Sequence, residues 1–283
     1  VRLNRSAWRG RRRSGALSKM LCGGAVEAAA TLGATVFFQV ETIVVVGNSR
    51  YTEQEVIEAS GVQIGDNLFQ MNKNQISQRI LQRLPYVGEV SPQRGLPSTL
   101  TLQVTEIAAA ARVEVYAEPS VQEQEETDSG ESGEERSSEE PLTLAEQPWL
   151  ISVSGKLLEV APEEAGTLTV TGLTLLAPQA GTMAAVPQEQ QYRLEALKGL
   201  LLGLEELGQL EWVSNVDLTH STWVGMRYRE NFEARLPLED LSHSLAVLSA
   251  AVENILQTWG EQAAGTIDLT QEMADAIFTP AES

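Results

Sequence analysis

The order of secondary-structure patterns between residues 40 and 107 limits most strongly how this chain can fold. A β-branched run at Thr42–Val46 ends in a glycine–asparagine turn, and a capping-box sequence at Thr52 then opens a short helix. A second amphipathic pattern starts at Asn72 and predicts another helix. Two strands follow, and in Thr99–Thr105 apolar and polar residues alternate strictly. The order β-α-α-β-β predicts a small α+β module whose sheet has exposed edges.

A basic segment and an apolar segment precede this module. Residues 1–19 carry seven basic side chains and no acidic one, and residues 20–38 contain Glu27 as their only charge. Nineteen residues nearly reach the length of about twenty that a membrane-spanning helix needs. We therefore predict a cytoplasmic segment at 1–19 and a transmembrane helix at 20–38, with its N-terminus inside. A soluble alanine-rich helix is the alternative, because Glu27 would cost about 2.5–3.5 kcal/mol near the bilayer centre.

The charge of the chain is concentrated in one acidic stretch. Residues 118–141 hold ten acidic residues and one basic residue, and they are rich in Ser and Gly. Such a composition cannot bury enough apolar surface to offset its ordering entropy, so we predict a disordered insert at 118–147. An acidic recognition segment is the alternative interpretation. The formal net charge of −19 argues against a general nucleic-acid-binding protein, because the surface would repel phosphates.

Residues 108–283 predict a second domain of short strands with two helices. Leucine stripes at spacings of three or four residues indicate helices at Tyr192–Leu207 and from Leu241 to Trp259. The strands around them predict a mostly antiparallel β domain. The last predicted strand is Gly265–Thr270, whose sequence IDLT echoes the sequence VDLT at Val216–Thr219, and the tail 271–283 is predicted to be loose.

The sequence offers few groups for catalysis. Cys22 is the single cysteine, and His220 and His243 are the two histidines, so a disulfide framework is excluded and a metal site has few ligands. Asp217 and Asp268 occupy matching places in the two echoed strands, and paired carboxylates can perform acid–base chemistry. We interpret each instead as a residue on a solvent-exposed strand face or near a strand end. We predict no catalytic residue, no metal site and no cofactor, and therefore a protein that is not an enzyme.

Several segments resemble one protein family. The sequences VETIVVVGNSRYTEQEV, LQRLPYVGEV and RGLPSTLTLQVTE resemble the POTRA domain of the FtsQ/DivIB family, and WLISVSGKLLEV resembles the start of that family's β domain. The resemblance implies one membrane span, then a POTRA domain at 40–107 and a β domain at 108–283 outside the cytoplasm. Two positions depart from the family pattern, which tends to have Val at Pro92 and Arg at Ile107. Pro92 predicts an edge or a bulge, since proline cannot donate to a ladder.

The same resemblance implies a function in cell division. Members act at the division septum as bitopic scaffolds that bind FtsB- or DivIC-type and FtsL-type partners and regulate the septal peptidoglycan synthases. Strand addition to an exposed sheet edge is the expected mechanism. A POTRA-containing docking or chaperone module of protein assembly or secretion is the alternative. The expected partner-binding residues lie in the last predicted strand and shortly after it: Thr266, Ile267, Asp268, Leu269, Thr270 and Phe278.

Overall fold

A computed structural model describes residues 37–115, 145–163, 166–271 and 276–281. These residues form two compact units, one of residues 37–81 and 87–106, and one of residues 82–86 and the described residues from 107 onward. The predicted basic segment, nearly all of the predicted span and most of the predicted acidic insert lie outside the described residues. Within the described ranges, no helix has the length and the apolar character needed to cross a membrane.

The first unit has the predicted β-α-α-β-β order. Its sheet has the strand order β1-β3-β2, in which β1 runs parallel and β2 antiparallel to the central β3. The elements are β1 (Thr42–Val46), α1 (Glu53–Ser60), α2 (Lys73–Arg83), β2 (Val87–Gly95) and β3 (Thr99–Glu106).

Local sequence signals explain where these elements begin and end. The Thr52 hydroxyl accepts a bond from the Glu55 N–H, and the Glu55 carboxylate accepts one from the Thr52 N–H, which completes the predicted capping box. Gly61 then ends α1 in the left-handed conformation. Pro92 lies on β2, which is an edge strand of this sheet, as its missing donor predicts.

The second unit is built on one nine-stranded sheet. Its strand order is β12-β11-β10-β9-β8-β7-β4-β5-β6, and five of its eight strand pairs are antiparallel. Its elements are β4 (Ala111–Val113), β5 (Trp149–Ile151), β6 (Leu157–Val160), β7 (Leu168–Thr171), α3 (Gln191–Glu206), β8 (Val213–Asp217), β9 (Trp223–Tyr228), β10 (Phe232–Pro237), α4 (Leu241–Trp259), β11 (Gly265–Asp268) and β12 (Ile277–Pro280), with 3₁₀ turns at Gln188–Gln190 and Leu210–Trp212.

The two long helices supply the core of this unit. The stripe that predicts α3 is buried, and so is that of α4 up to Val252, whereas Leu256 is partly buried and Trp259 is exposed. Both helices contribute to one apolar cluster with the inward residues of the sheet. In β10, Phe232, Ala234 and Leu236 are buried while the residues between them are exposed. The sheet therefore has one face in the core and one face toward solvent.

The prediction of a loose tail is wrong for Ile277–Pro280. These four residues form β12, which pairs antiparallel with β11. The sequence pattern did not reveal the strand because it is short and ends in proline. Its strand conformation depends on pairing with β11, which the pattern of a few residues cannot predict.

Candidate partner-binding edge

The strand that was predicted as the partner-binding edge is internal. The segment Gly265–Asp268 forms β11, which pairs with β10 on one side and with β12 on the other. The prediction that Gly265–Thr270 is an edge is therefore wrong, because β12 covers its outer side. The free edge at this end of the sheet is β12, Ile277–Pro280.

The predicted site residues divide into two groups. Ile267 is fully buried and Leu269 nearly so, and both belong to the apolar core, so their side chains are not available to a partner. Thr266 and Asp268 lie opposite Thr279 and Ile277 of β12 and pair with that strand. Phe278 alone among the predicted residues lies on the edge strand itself.

Thr270 and Asp268 close a tight turn at the end of β11. The Asp268 Oδ1 atom accepts hydrogen bonds from the Thr270 N–H at 2.8 Å and from the Thr270 hydroxyl at 2.6 Å. Burial by itself would raise the pKa of Asp268, but these bonds and the charge of Arg235 outweigh it and hold the pKa below its ordinary value. The turn fixes the direction in which the chain leaves β11.

The same turn explains the echoed tetrapeptides. The Asp217 Oδ1 atom accepts from the Thr219 N–H at 2.9 Å and from its hydroxyl at 2.7 Å, as Asp268 does with Thr270. Strands β9 and β10 lie between the two strands that end in these aspartates. The two carboxylates are thus separate turn-forming groups and not a catalytic pair.

Other candidate groups also have structural partners. The ring of His220 stacks on Trp223 with centroids 3.7 Å apart, and its Nε2 atom lies 3.7 Å from Asp217 Oδ2. The backbone N–H of His243 donates to the capping side chain of Asp240, in the first turn of α4. Among the described residues, no group of three or more His, Cys, Asp or Glu side chains is placed to hold a metal ion.

The hydrogen-bond alternation of the β11–β12 pair determines which backbone groups of β12 are free. The Ala281 N–H donates to the Ala264 carbonyl at 2.9 Å, and Thr266 lies opposite Thr279. Since an antiparallel ladder alternates between bonded and non-bonded pairs, Ile277 and Thr279 point their main-chain groups toward β11. Phe278 and Pro280 point theirs outward. The outer side of β12 therefore presents the Phe278 N–H and C=O and the Pro280 C=O, but no donor at Pro280.

Apolar side chains flank this edge. Phe278 lies opposite the buried Ile267, on the helix-covered face, where its ring centroid is 6.4 Å from Phe232 and 6.0 Å from Trp259. Trp259, at the end of α4, is 63% exposed, and Ile277 on the other face is 43% exposed. An extended segment that paired with β12 would find backbone groups at the edge and apolar surface beside it.

The opposite edge of the same sheet is less open. The N–H of Leu157 in β6 donates to the Thr182 carbonyl, and the Leu157 carbonyl accepts from the Gly181 N–H. Residues 181–183 thus occupy part of the outer side of β6. No strand or loop among the residues that the structure describes pairs with the outer side of β12.

A comparison with known protein families matches the first unit. Residues 38–106 fit the family described as "POTRA domain, FtsQ-type". Three curated relatives are each named "Cell division protein FtsQ". The relative from Corynebacterium glutamicum is 36% identical over 91 residues, which cover 31% of this chain and 40% of the relative. The relative from Geotalea daltonii is 35% identical over 75 residues (26% of this chain, 27% of the relative), and that from Mycobacterium leprae is 32% identical over 105 residues (31% and 30%). The matched regions therefore span less than half of each relative.

Proposed function

We propose that this chain is a member of the FtsQ/DivIB family and a non-enzymatic scaffold of the bacterial cell-division machinery that binds its partner by strand addition to β12. The family assignment rests on the FtsQ-type POTRA domain and on the three FtsQ relatives. The protein is anchored in the cell membrane by the predicted span at 20–38, with both described units outside the cytoplasm. It acts at the division septum and catalyses no reaction.

The observation that carries the proposal is the outer side of β12, with which no described residue of the chain pairs. An incoming strand accepts a bond from the Phe278 N–H and donates to the carbonyls of Phe278 and Pro280. An apolar residue of the partner next to Phe278 and Trp259 would cover surface that is exposed in the free chain. Main-chain pairing supplies affinity, and this apolar contact supplies selectivity.

The partners that the family relationship suggests are FtsB- or DivIC-type and FtsL-type membrane proteins, and through them the septal peptidoglycan synthases. We assign the edge itself to the FtsB- or DivIC-type partner. The other predicted residues act by holding β12 in place. Thr266 and Asp268 pair with the strand, and Ile267 and Leu269 fix β11 in the core.

The experiment compares two substitutions at Phe278. Phe278→Ala removes the ring but keeps the outward N–H, whereas Phe278→Pro removes both. The ligand is the extracytoplasmic domain of the FtsB- or DivIC-type partner from the same genome. We expect the Pro variant to bind it at least about tenfold more weakly than the Ala variant, because a lost hydrogen bond and a poorly fitting backbone together cost about 1.4 kcal/mol. Calorimetric titration with purified full-length protein in detergent measures the difference.

Two further results complete the test. Circular dichroism and melting of both variants check that the sheet is retained, and Thr279→Pro serves as a variant in which the bonds to β11 are broken instead. Equal affinities of the Ala and Pro variants would contradict strand addition at β12. A substitution at Ile267 is unsuitable for this purpose, because Ile267 is internal and its loss would damage the core.

A further inference from the structure

Four large apolar side chains lie exposed on three segments that meet at one end of the POTRA unit. They are Phe37, Ile64, Phe69 and Leu96, which are 70%, 65%, 55% and 64% exposed. We refer to these four residues as the apolar tip. A clustered set of exposed apolar residues marks a surface that contacts something other than water.

Backbone hydrogen bonds bring the three segments of the apolar tip to the same end. The Leu68 N–H donates to the Phe38 carbonyl at 2.9 Å, and Val40 bonds to the loop at Asp66, so residues 64–69 lie beside the entering chain. The Glu41 N–H donates to the Ser98 carbonyl, which places the turn that contains Leu96 at the start of β1 as well.

Side-chain contacts make the tip a defined surface. The ring of Phe38 lies edge-on to Phe37 and to Phe69, with centroids 5.8 Å and 4.9 Å apart. The guanidinium of Arg94 lies 5.9 Å from the centre of the Phe69 ring and donates to the Met71 carbonyl at 2.7 Å. Phe69 is therefore held in its exposed position by an aromatic contact on one side and a cation on another.

The chain enters the tip from the segment that is predicted to cross the membrane. Phe37 and Phe38 are the last residues of the predicted span at 20–38, so the apolar tip is the part of this unit that leaves the bilayer first. Aromatic residues and arginine are the side chains that the membrane–water interface favours. The two nearby carboxylates are satisfied within the chain, Asp66 by the Gln63 N–H and Glu41 by the Ser98 hydroxyl.

We propose that the apolar tip rests in the head-group region of the lipid bilayer, so that the POTRA unit is held against the membrane by its loops as well as by its anchor. The lipid contact orients the unit, because three separate segments must touch one plane at once. This inference rests on the membrane anchoring stated in the proposed function and adds the surface through which the unit meets the lipid.

The test uses the full-length chain in lipid nanodiscs. Cys22, the single cysteine, is replaced by Ser, and a nitrobenzoxadiazole fluorophore is attached to a new cysteine in Ile64→Cys or Leu96→Cys. The matched control is Val46→Cys, which is 49% exposed but lies four residues along β1 from Thr42, about 13 Å away at 3.3 Å per residue. We expect lipids with head-group spin labels to quench the fluorophore at least twofold at positions 64 and 96, and little at position 46.

Equal quenching at all three positions would overturn the inference. So would a change at 64 and 96 that occurs only when a partner protein is added, because the tip would then be a protein-binding surface. Two labelled positions in different loops guard against a variant that fails to fold. Partner binding to β12 is measured on the same nanodiscs. Retained partner binding without quenching overturns the lipid contact alone, and failure to enter nanodiscs overturns the membrane anchor together with it.

Discussion

Gly265 in β11 is the position at which a single methyl group should remove the proposed binding edge. A Cβ at this residue would lie 2.3 Å from the Thr279 carbonyl oxygen and 2.9 Å from the Pro280 Cα atom, both in the backbone of β12. A carbon and an oxygen need about 3.3 Å, so the shortfall is about 1 Å. Backbone atoms cannot rotate away as a side chain can. In Gly265→Ala, β12 must therefore shift or leave the sheet.

The structure bounds the cost of this substitution. A strand that is strained in place costs about 1–3 kcal/mol, as overpacked sites do. A strand that detaches loses the main-chain bonds of the Thr266–Thr279, Asp268–Ile277 and Ala264–Ala281 pairs, at about 1 kcal/mol a pair. It also loses part of the burial of Phe278, worth about 1.5–3 kcal/mol when complete. We expect the free energy of unfolding to fall by about 2–4 kcal/mol.

Two measurements separate a local from a global effect. Amide hydrogen exchange should accelerate at Ile277 and Thr279, whose N–H groups point to β11, while amides of α4 and β9 keep their protection. Urea unfolding gives the total loss of stability. Gly166→Ala is the matched control, because a Cβ there meets no atom within 4 Å. If Gly265→Ala has the stability of Gly166→Ala and unchanged exchange at β12, the packing of this edge is not as we describe it.

Three further predictions concern single side chains. Pro280→Ala adds an outward N–H donor to β12. Calorimetry should therefore find partner binding about fivefold tighter, which corresponds to about 1 kcal/mol for one hydrogen bond. Unchanged affinity would contradict the alternation of inward and outward main-chain groups along β12. The pKa of Asp268 is lowered in the folded chain, so its charge stabilises the fold above the ordinary value of 3.8, and this contribution is lost as the pH falls through the lowered value. The difference in melting temperature between the unsubstituted chain and Asp268→Asn should therefore shrink below about pH 4. A difference that stays constant with pH would refute this prediction. Burial lowers the pKa of Lys156 to about 8, so between about pH 8 and 10.5 the unfolded chain binds the extra proton and stability rises with pH. Thermal melts of Lys156→Met should lack this part of the rise, and identical pH profiles would contradict the assigned cause.

Elements with their own local signals were predictable from the sequence. The capping box at Thr52, the left-handed Gly61 and the buried stripe of α4 depend on residues that are close in the chain, and the structure contains each of them. The strand pattern of the POTRA unit was equally readable because its alternation extends over seven residues.

The edge of the β domain could not be predicted in the same way. Four residues, Ile277–Pro280, form a strand only because the unpaired side of β11 lies beside them in the fold. The buried Ile267 and the exposed Ile277 belong to the same residue type, and only sheet order distinguishes them. Phe278 was named on the family resemblance and not on a local pattern, and the structure places it on β12.

Pro280 also limits the self-association of the protein through the free side of β12. An open sheet border rich in Ile, Phe and Thr would ordinarily template the stacking of identical molecules and lead to fibres. With the imino acid at its last position, β12 offers a single outward N–H among its four residues. So short and interrupted a strand gives a second copy of the same chain too few hydrogen bonds to propagate. The proposed partner segment would gain additional apolar contact with Trp259. The proline thereby protects the molecule from self-association while it leaves the outward groups of Phe278 open to the proposed partner.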